Sequence, residues 1–80
     1  MTAEEYGQIW AEQARDAWIA AASRDLKTPE TLKVLAWRLR PKLTPKLLTK
    51  IATQARLERG FSLEDAIKAA ESAAKAWDAL

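Results

Sequence analysis

The stretch from Trp37 to Lys50 carries two arginines and three lysines and no acidic residue. Cationic side chains interleaved with threonine hydroxyls are groups that proteins use to hold phosphate oxygens. The whole chain has a formal net charge of only +2, so the positive charge of this stretch is balanced by acidic residues elsewhere in the chain. Residues 24–59 contain ten cations and three anions, whereas the segments 1–23 and 60–80 are each net acidic. This asymmetry predicts a negatively charged partner for the middle of the chain.

The charges around the expected third helix are placed against its dipole. A helix dipole favours acidic residues in the first turn and basic residues in the last, by roughly 0.3–1 kcal/mol each. Here Lys42 and Lys46 stand at the start and Glu58 stands near the end. Lys46 and Lys50 also repel each other as a like pair four residues apart. An anion held by these lysines, the Thr44 hydroxyl and the unpaired backbone N–H groups would relieve both conflicts.

A basic face is therefore expected on the two middle helices. Joined by residues 41–44, these helices have the rough dimensions of a helix-turn-helix, whose second helix enters the major groove of DNA. The chain contains no asparagine to read adenine, and the sequence does not distinguish DNA from RNA. The expected nucleic-acid-binding residues are Arg38, Arg40, Lys42, Thr44, Lys46, Thr49, Lys50, Thr53 and Arg56. The alternative is an ordinary solvated basic face, because surface charge often has no binding role.

A second surface is suggested by apolar residues in unexpected places. Val34 and Trp37 fall on the side of the second helix away from its leucines, and Leu57 stands alone on the polar side of the third helix. If exposed, these three residues would form a surface for a protein partner or a homo-oligomer. The alternative is that the second helix is central and covered on both sides.

The residue types needed for catalysis and metal binding are scarce. The chain has no cysteine and no histidine. Ser62 is expected to cap a helix rather than act as a nucleophile, since no histidine is present to activate it. The two glycines do not have the spacing of a phosphate-binding loop. Carboxylates do not cluster in a metal-binding order. We therefore expect no enzymatic activity, no catalytic residue, no cofactor and no metal.

Localisation and origin are less constrained by the sequence. No signal-peptide pattern is visible and no apolar run approaches the roughly 20 residues of a membrane span, so we expect a soluble cytoplasmic protein with no membrane partner. A small nucleic-acid-binding bundle suits a viral or mobile-element protein. The missing cysteine and histidine also suit an engineered, de novo bundle, although a designer following dipole rules would avoid lysines at a helix start.

Hydrophobic periodicity and capping residues predict an all-α, compact, single-domain bundle of four short helices. The expected ranges are about 3–24, 29–40, 45–59 and 63–79. The expected N-caps are Thr2, Thr28, Thr44 and Ser62, with prolines 29 and 45 at first helical positions and Gly60 as a C-terminal stop.

The same periodicity predicts which residues face the core. In the first helix these are Ala3, Tyr6, Trp10, Ala14, Ala17 and Ala21, and in the second Leu32, Leu35, Ala36 and Leu39. In the third they are Leu47, Leu48, Ile51 and Ala55, and in the fourth Leu63, Ala66, Ile67, Ala70, Ala74 and Trp77. The four tryptophans are the expected core anchors, because each can remove roughly 150–250 Å² from water. The alanines of the first and fourth helices are expected to let those helices approach closely.

Overall fold

The computed structural model describes residues 1–22 and 29–80. These residues form four α-helices and no strand. The helices are α1 (Ala3–Ala22), α2 (Glu30–Arg38), α3 (Pro45–Arg59) and α4 (Leu63–Ala79). The expected all-α bundle of four helices is confirmed, and the bounds of α3 and α4 match the expected ranges.

Side-chain caps fix the starts of three of the four described helices. Thr2, Thr44 and Ser62 each accept a hydrogen bond from the backbone N–H three residues further on, at 3.1, 3.2 and 3.1 Å. Gly60 ends α3 with a φ of 65°, a left-handed conformation that glycine adopts without strain. These caps were predicted from the sequence and are confirmed.

Helix α2 is shorter than expected. It begins at Glu30, because the Pro29 carbonyl accepts the first helical hydrogen bonds. Pro29 is therefore the N-cap and not, as was expected, the first helical residue, and the expected cap Thr28 lies outside the described residues. The helix ends at Arg38, and the N–H of Arg40 then turns back to the Trp37 carbonyl at 3.2 Å. The expected end at Arg40 was therefore two residues too late.

Helix α4 lies at the centre of the arrangement and packs against both α1 and α3, while α2 packs against α1. Helices α1 and α4 run in the same direction and touch closely. A β-carbon built on Gly7 would lie 2.5 Å from the Ala69 carbonyl oxygen and 2.6 Å from the Ala73 nitrogen. The hydroxyl of Ser72 also donates to the Glu4 carbonyl at 2.8 Å. The expected close approach of the alanine-rich helices is confirmed.

Two buried clusters follow one another along α4. The first, beside the N-terminal part of α4, contains Ala3, Tyr6, Ile51, Ala55, Ala66, Ala69, Ala70 and Ala73. The second, at the end of α4, is formed by Ala11, Trp37 and Trp77. The Trp37 and Trp77 rings meet edge to face with centroids 4.7 Å apart. Trp18 joins α1 to α2 by donating from Nε1 to the Ala36 carbonyl at 2.9 Å.

The expected inward face of α2 is wrong. Trp37 is buried at 9% exposure, whereas Leu32, Leu35 and Leu39 are 53%, 48% and 72% exposed. Trp37 and these leucines lie on opposite sides of α2. Because the neighbouring helices pack against only one side of α2, they can bury either Trp37 or the leucines, but not both. The larger tryptophan takes the inner side, and its Nε1–H donates to the Leu80 carbonyl at 2.9 Å.

The expected faces of α1 and α4 need a smaller correction. Leu63 and Ile67 are exposed, because close contact with α1 turns the small residues of α4 inward. In α1, Ala17 and Ala21 are exposed where that helix extends beyond the last turn of α4.

Candidate functional site

The candidate site is the outer face of α3. Ile51 and Ala55, on the inner side of this helix, are completely buried. On the opposite side, the side chains of Lys46, Thr49, Lys50, Thr53 and Arg56 are all exposed. The fold thus presents the polar side of α3 to solvent, because the apolar side is used against α4 and the first turns of α1.

The cations of this face form no ion pair with a carboxylate of the described residues. In residues 1–22 and 29–80, the ion pairs are Arg15 with Asp16 and Lys33 with Glu30. No carboxylate of those residues therefore lies within 4.0 Å of the ammonium groups of Lys42, Lys46 or Lys50, or of the Arg56 guanidinium. The conflict with the α3 dipole is not relieved by these carboxylates.

The acid near the end of α3 has a structural partner instead. The Glu58 carboxylate accepts a hydrogen bond from the Tyr6 hydroxyl at 2.9 Å. Burial, this hydrogen bond and the Glu58 charge together raise the pKa of Tyr6 to about 12. Glu58 therefore ties α3 to α1, which explains an acid at a position where the helix dipole disfavours one.

The threonines of the expected site are only partly available to an anion. Thr49 donates its hydroxyl hydrogen to the Pro45 carbonyl at 3.0 Å, and Thr53 donates to the Thr49 carbonyl at 2.9 Å. A phosphate oxygen needs a donor, so these two hydroxyls contribute less than expected. The Thr44 oxygen is used as an acceptor by the Leu47 N–H at 3.2 Å.

Arg40 has a structural role that the sequence did not indicate. Its Nε and Nη2 donate to the Trp77 carbonyl at 3.0 and 2.8 Å, and Nη2 also reaches the Asp78 carbonyl at 3.1 Å. Its Nη1 donates to the Trp37 carbonyl at 2.9 Å. The guanidinium thus satisfies carbonyl groups at the end of α4, so these N–H groups are already used within the fold, and the contact with nucleic acid expected for Arg40 stays a prediction. The partner groups lie far away in the sequence, so no local pattern indicated this role.

The two middle helices do not form a helix-turn-helix. That motif requires its helices to pack against each other, whereas α2 and α3 share at most marginal contact. Arg38, on α2, and Lys42, in the connection, are both exposed. Lys42 lies two residues before Thr44, the N-cap of α3, whereas Arg38 lies on a separate helix, so the two do not belong to a recognition hairpin.

The expected partner surface loses its central residue. Trp37 is buried, so it cannot serve as an exposed anchor, while Val34 and Leu57 are 51% and 81% exposed. Three apolar residues that sequence analysis placed in the core are exposed instead, namely Leu32, Leu35 and Leu39. Their spacing of three and four residues was visible in the sequence, but nothing local indicated which side of α2 is covered.

Comparisons with known proteins give no guide to this site: no family model, no curated protein and no solved structure matches the chain. Within the described ranges, no group of three or more acidic side chains is placed to hold a metal ion. In the same part of the chain, no helix combines the length and the apolar character that crossing a membrane requires.

Proposed function

We propose that this protein is a non-catalytic nucleic-acid-binding bundle that holds the phosphate backbone with the outer face of α3. The observation that supports this most is the exposed set Lys46, Lys50 and Arg56, which has no described carboxylate within 4.0 Å. Lys42 extends the positive surface at the start of α3, and Arg38 adds an exposed cation on α2.

The dimensions of the face suit a phosphate backbone. Lys46 and Arg56 are ten residues apart, which corresponds to about 15 Å along a helix. Duplex DNA carries one charge per about 1.7 Å of its axis, so a face of this length meets several phosphates. Without a helix-turn-helix, contacts to base edges are not the expected source of affinity. The binding should therefore depend strongly on salt and weakly on sequence.

The test is fluorescence anisotropy with a labelled duplex and a labelled single strand across a series of salt concentrations. If four cations of the protein each contact one phosphate, the logarithm of the association constant for a duplex should fall with the logarithm of the salt concentration, with a slope of about −3 to −4. The double variant Lys46→Glu with Lys50→Glu should lose binding. The matched control is Lys68→Glu with Lys75→Glu, which makes the same change in net charge on exposed residues of α4.

The control variant should keep most of the wild-type affinity. Equal losses in both double variants would show that net charge alone is responsible, and no binding by the wild type would exclude the proposal.

A second function, protein interaction or assembly, is favoured by a separate observation. Leu32, Leu35 and Leu39 expose about half or more of their surface along one side of α2. Apolar residues grouped in this way often mark an interaction surface. Light scattering tests this candidate, because a protein that assembles with itself has an apparent mass that rises with protein concentration.

A further inference from the structure

Two apolar features of the chain have no partner within the described structure. The first, here called the leucine stripe, consists of Leu32, Leu35 and Leu39 on α2. The second, here called the α3/α4 groove, is an open cavity of about 410 Å³ between α3 and α4. Its apolar lining includes Leu48, Ala52, Leu63 and Ile67. Its charged lining residues are Glu71 and Arg56, and Arg56 also belongs to the outer basic face of α3.

We propose that the leucine stripe of one copy of the chain occupies the α3/α4 groove of a second copy. The two features cannot meet within one copy, because α2 packs against α1 with Trp37 buried, whereas the groove lies between α3 and α4. The association is head to tail, so it leads either to a closed ring or to an open chain of subunits.

The dimensions of the two features agree. Leu32 and Leu39 are seven residues apart, about 10 Å along a helix, and the groove runs from Leu63 to Glu71, about 12 Å along α4. Apolar anchors at i, i+3 and i+7 are the pattern by which a helix inserts its side chains into a groove between two other helices. The stripe has this spacing.

Charge complementarity favours contact between the leucine stripe and the α3/α4 groove over contact between two leucine stripes. Arg38 flanks the stripe, and Glu71 lines the groove; neither forms an ion pair with any residue in the described ranges. Stripe-to-stripe contact would offer Arg38 no unpaired acid on the partner copy's α2, because Glu30, the acid of that helix, already pairs with Lys33 at 3.3 Å. The expected orientation has α2 parallel to α4, with Arg38 beside the partner copy's Glu71 and away from the end of the groove that contains Arg56.

The experiment measures mass against concentration by sedimentation and light scattering. One variant, Leu35→Asp, disables the stripe, and another, Ile67→Asp, disables the groove. Both positions are about half exposed, so both variants should fold, which circular dichroism and thermal unfolding verify. The matched control is Ile9→Asp, an exposed isoleucine on α1 outside both features.

The wild type and the Ile9→Asp control should associate as concentration rises, and each of the other variants alone should remain monomeric. An equimolar mixture of Leu35→Asp and Ile67→Asp should form a 1:1 dimer, because one partner keeps its groove and the other keeps its stripe. Arg38→Glu should weaken association several-fold, and adding Glu71→Arg in the same chain should restore it.

Three results would overturn the proposal. A wild type that stays monomeric at its highest soluble concentration excludes self-association. An Ile67→Asp variant that still dimerises shows stripe-to-stripe contact instead. A mixture of the two variants that remains monomeric shows that stripe and groove do not bind each other.

Discussion

The guanidinium carbon of Arg40 lies 3.9 Å from the centroid of the Trp37 ring. From this position the same group donates hydrogen bonds to the Trp77 and Asp78 carbonyls. Helix α4 has no basic residue in its own last turn, so Arg40 supplies from another segment the positive charge that a helix C-terminus favours. The Trp77 indole in turn donates to the Pro41 carbonyl at 2.9 Å, which holds the α2–α3 connection against the end of α4.

Replacing Arg40 should destabilise the fold. Arg40→Ala leaves carbonyl groups of α4 without their donor, and hydrogen bonds from a charged group are each worth about 1.5–3 kcal/mol. We expect a loss of about 2 kcal/mol in the free energy of unfolding, measured by urea denaturation. Arg40→Lys should recover only part of it, because an ammonium group lacks the planar fork. The control Arg38→Ala, at an exposed position, should change stability by less than about 0.5 kcal/mol.

Gly7 should resist substitution despite its place inside a helix. Exchanging glycine for alanine in a helix normally stabilises it by about 0.5–1 kcal/mol. Here the new methyl would overlap with the backbone of α4, so Gly7→Ala should instead destabilise by about 1–3 kcal/mol. Denaturant unfolding gives the sign, and Gln8→Ala is a control at the next, exposed position. A more stable Gly7→Ala protein would contradict the close α1–α4 contact.

The orientation of α2 can be tested by comparing its two sides. Trp37→Ala removes a buried ring and should cost about 3–5 kcal/mol. Leu39→Ala, on the exposed side, should change the stability of the monomer by less than about 0.5 kcal/mol. The measurement is thermal or urea unfolding at low protein concentration. Effects in the opposite order would mean that the leucines face the core.

Stability should fall at high pH because of Tyr6. Its pKa is raised from 10.0 to about 12, so the folded state holds the phenol proton more tightly than the unfolded chain does. This stabilisation is complete below about pH 10 and is lost as the pH rises toward 12. Ultraviolet titration of the chain's single tyrosine should show the raised pKa. Glu58→Gln should move it back toward 10, and Tyr6→Phe should remove this component of the pH dependence.

The parts of the fold that depend on residues close together in the sequence were predictable. The Thr44 and Ser62 caps act within three residues, and Gly60 acts at its own position, so sequence patterns located the ends of α3 and α4. The basic face of α3 was predictable for a similar reason, since helical periodicity alone places Lys46 and Lys50 on the side away from Ile51.

The parts that depend on distant residues were not predictable in this way. Helix α2 has apolar residues on both sides, and the choice of Trp37 as the inner one depends on Trp77 and Leu80, about forty residues later. The role of Arg40 depends on the same end of α4. Periodicity describes a helix by itself and contains no information about which neighbour covers it.

Seven of the eleven buried apolar residues in the described structure are alanines. An alanine side chain has no rotamers to lose when it is buried, so these positions add no side-chain entropy cost to folding beyond that of the backbone. An 80-residue chain gains from this economy, because the apolar surface it can bury is limited by its size. The same composition concentrates the hydrophobic contribution in a few large residues, with Ile51 the largest that is fully enclosed among the described side chains.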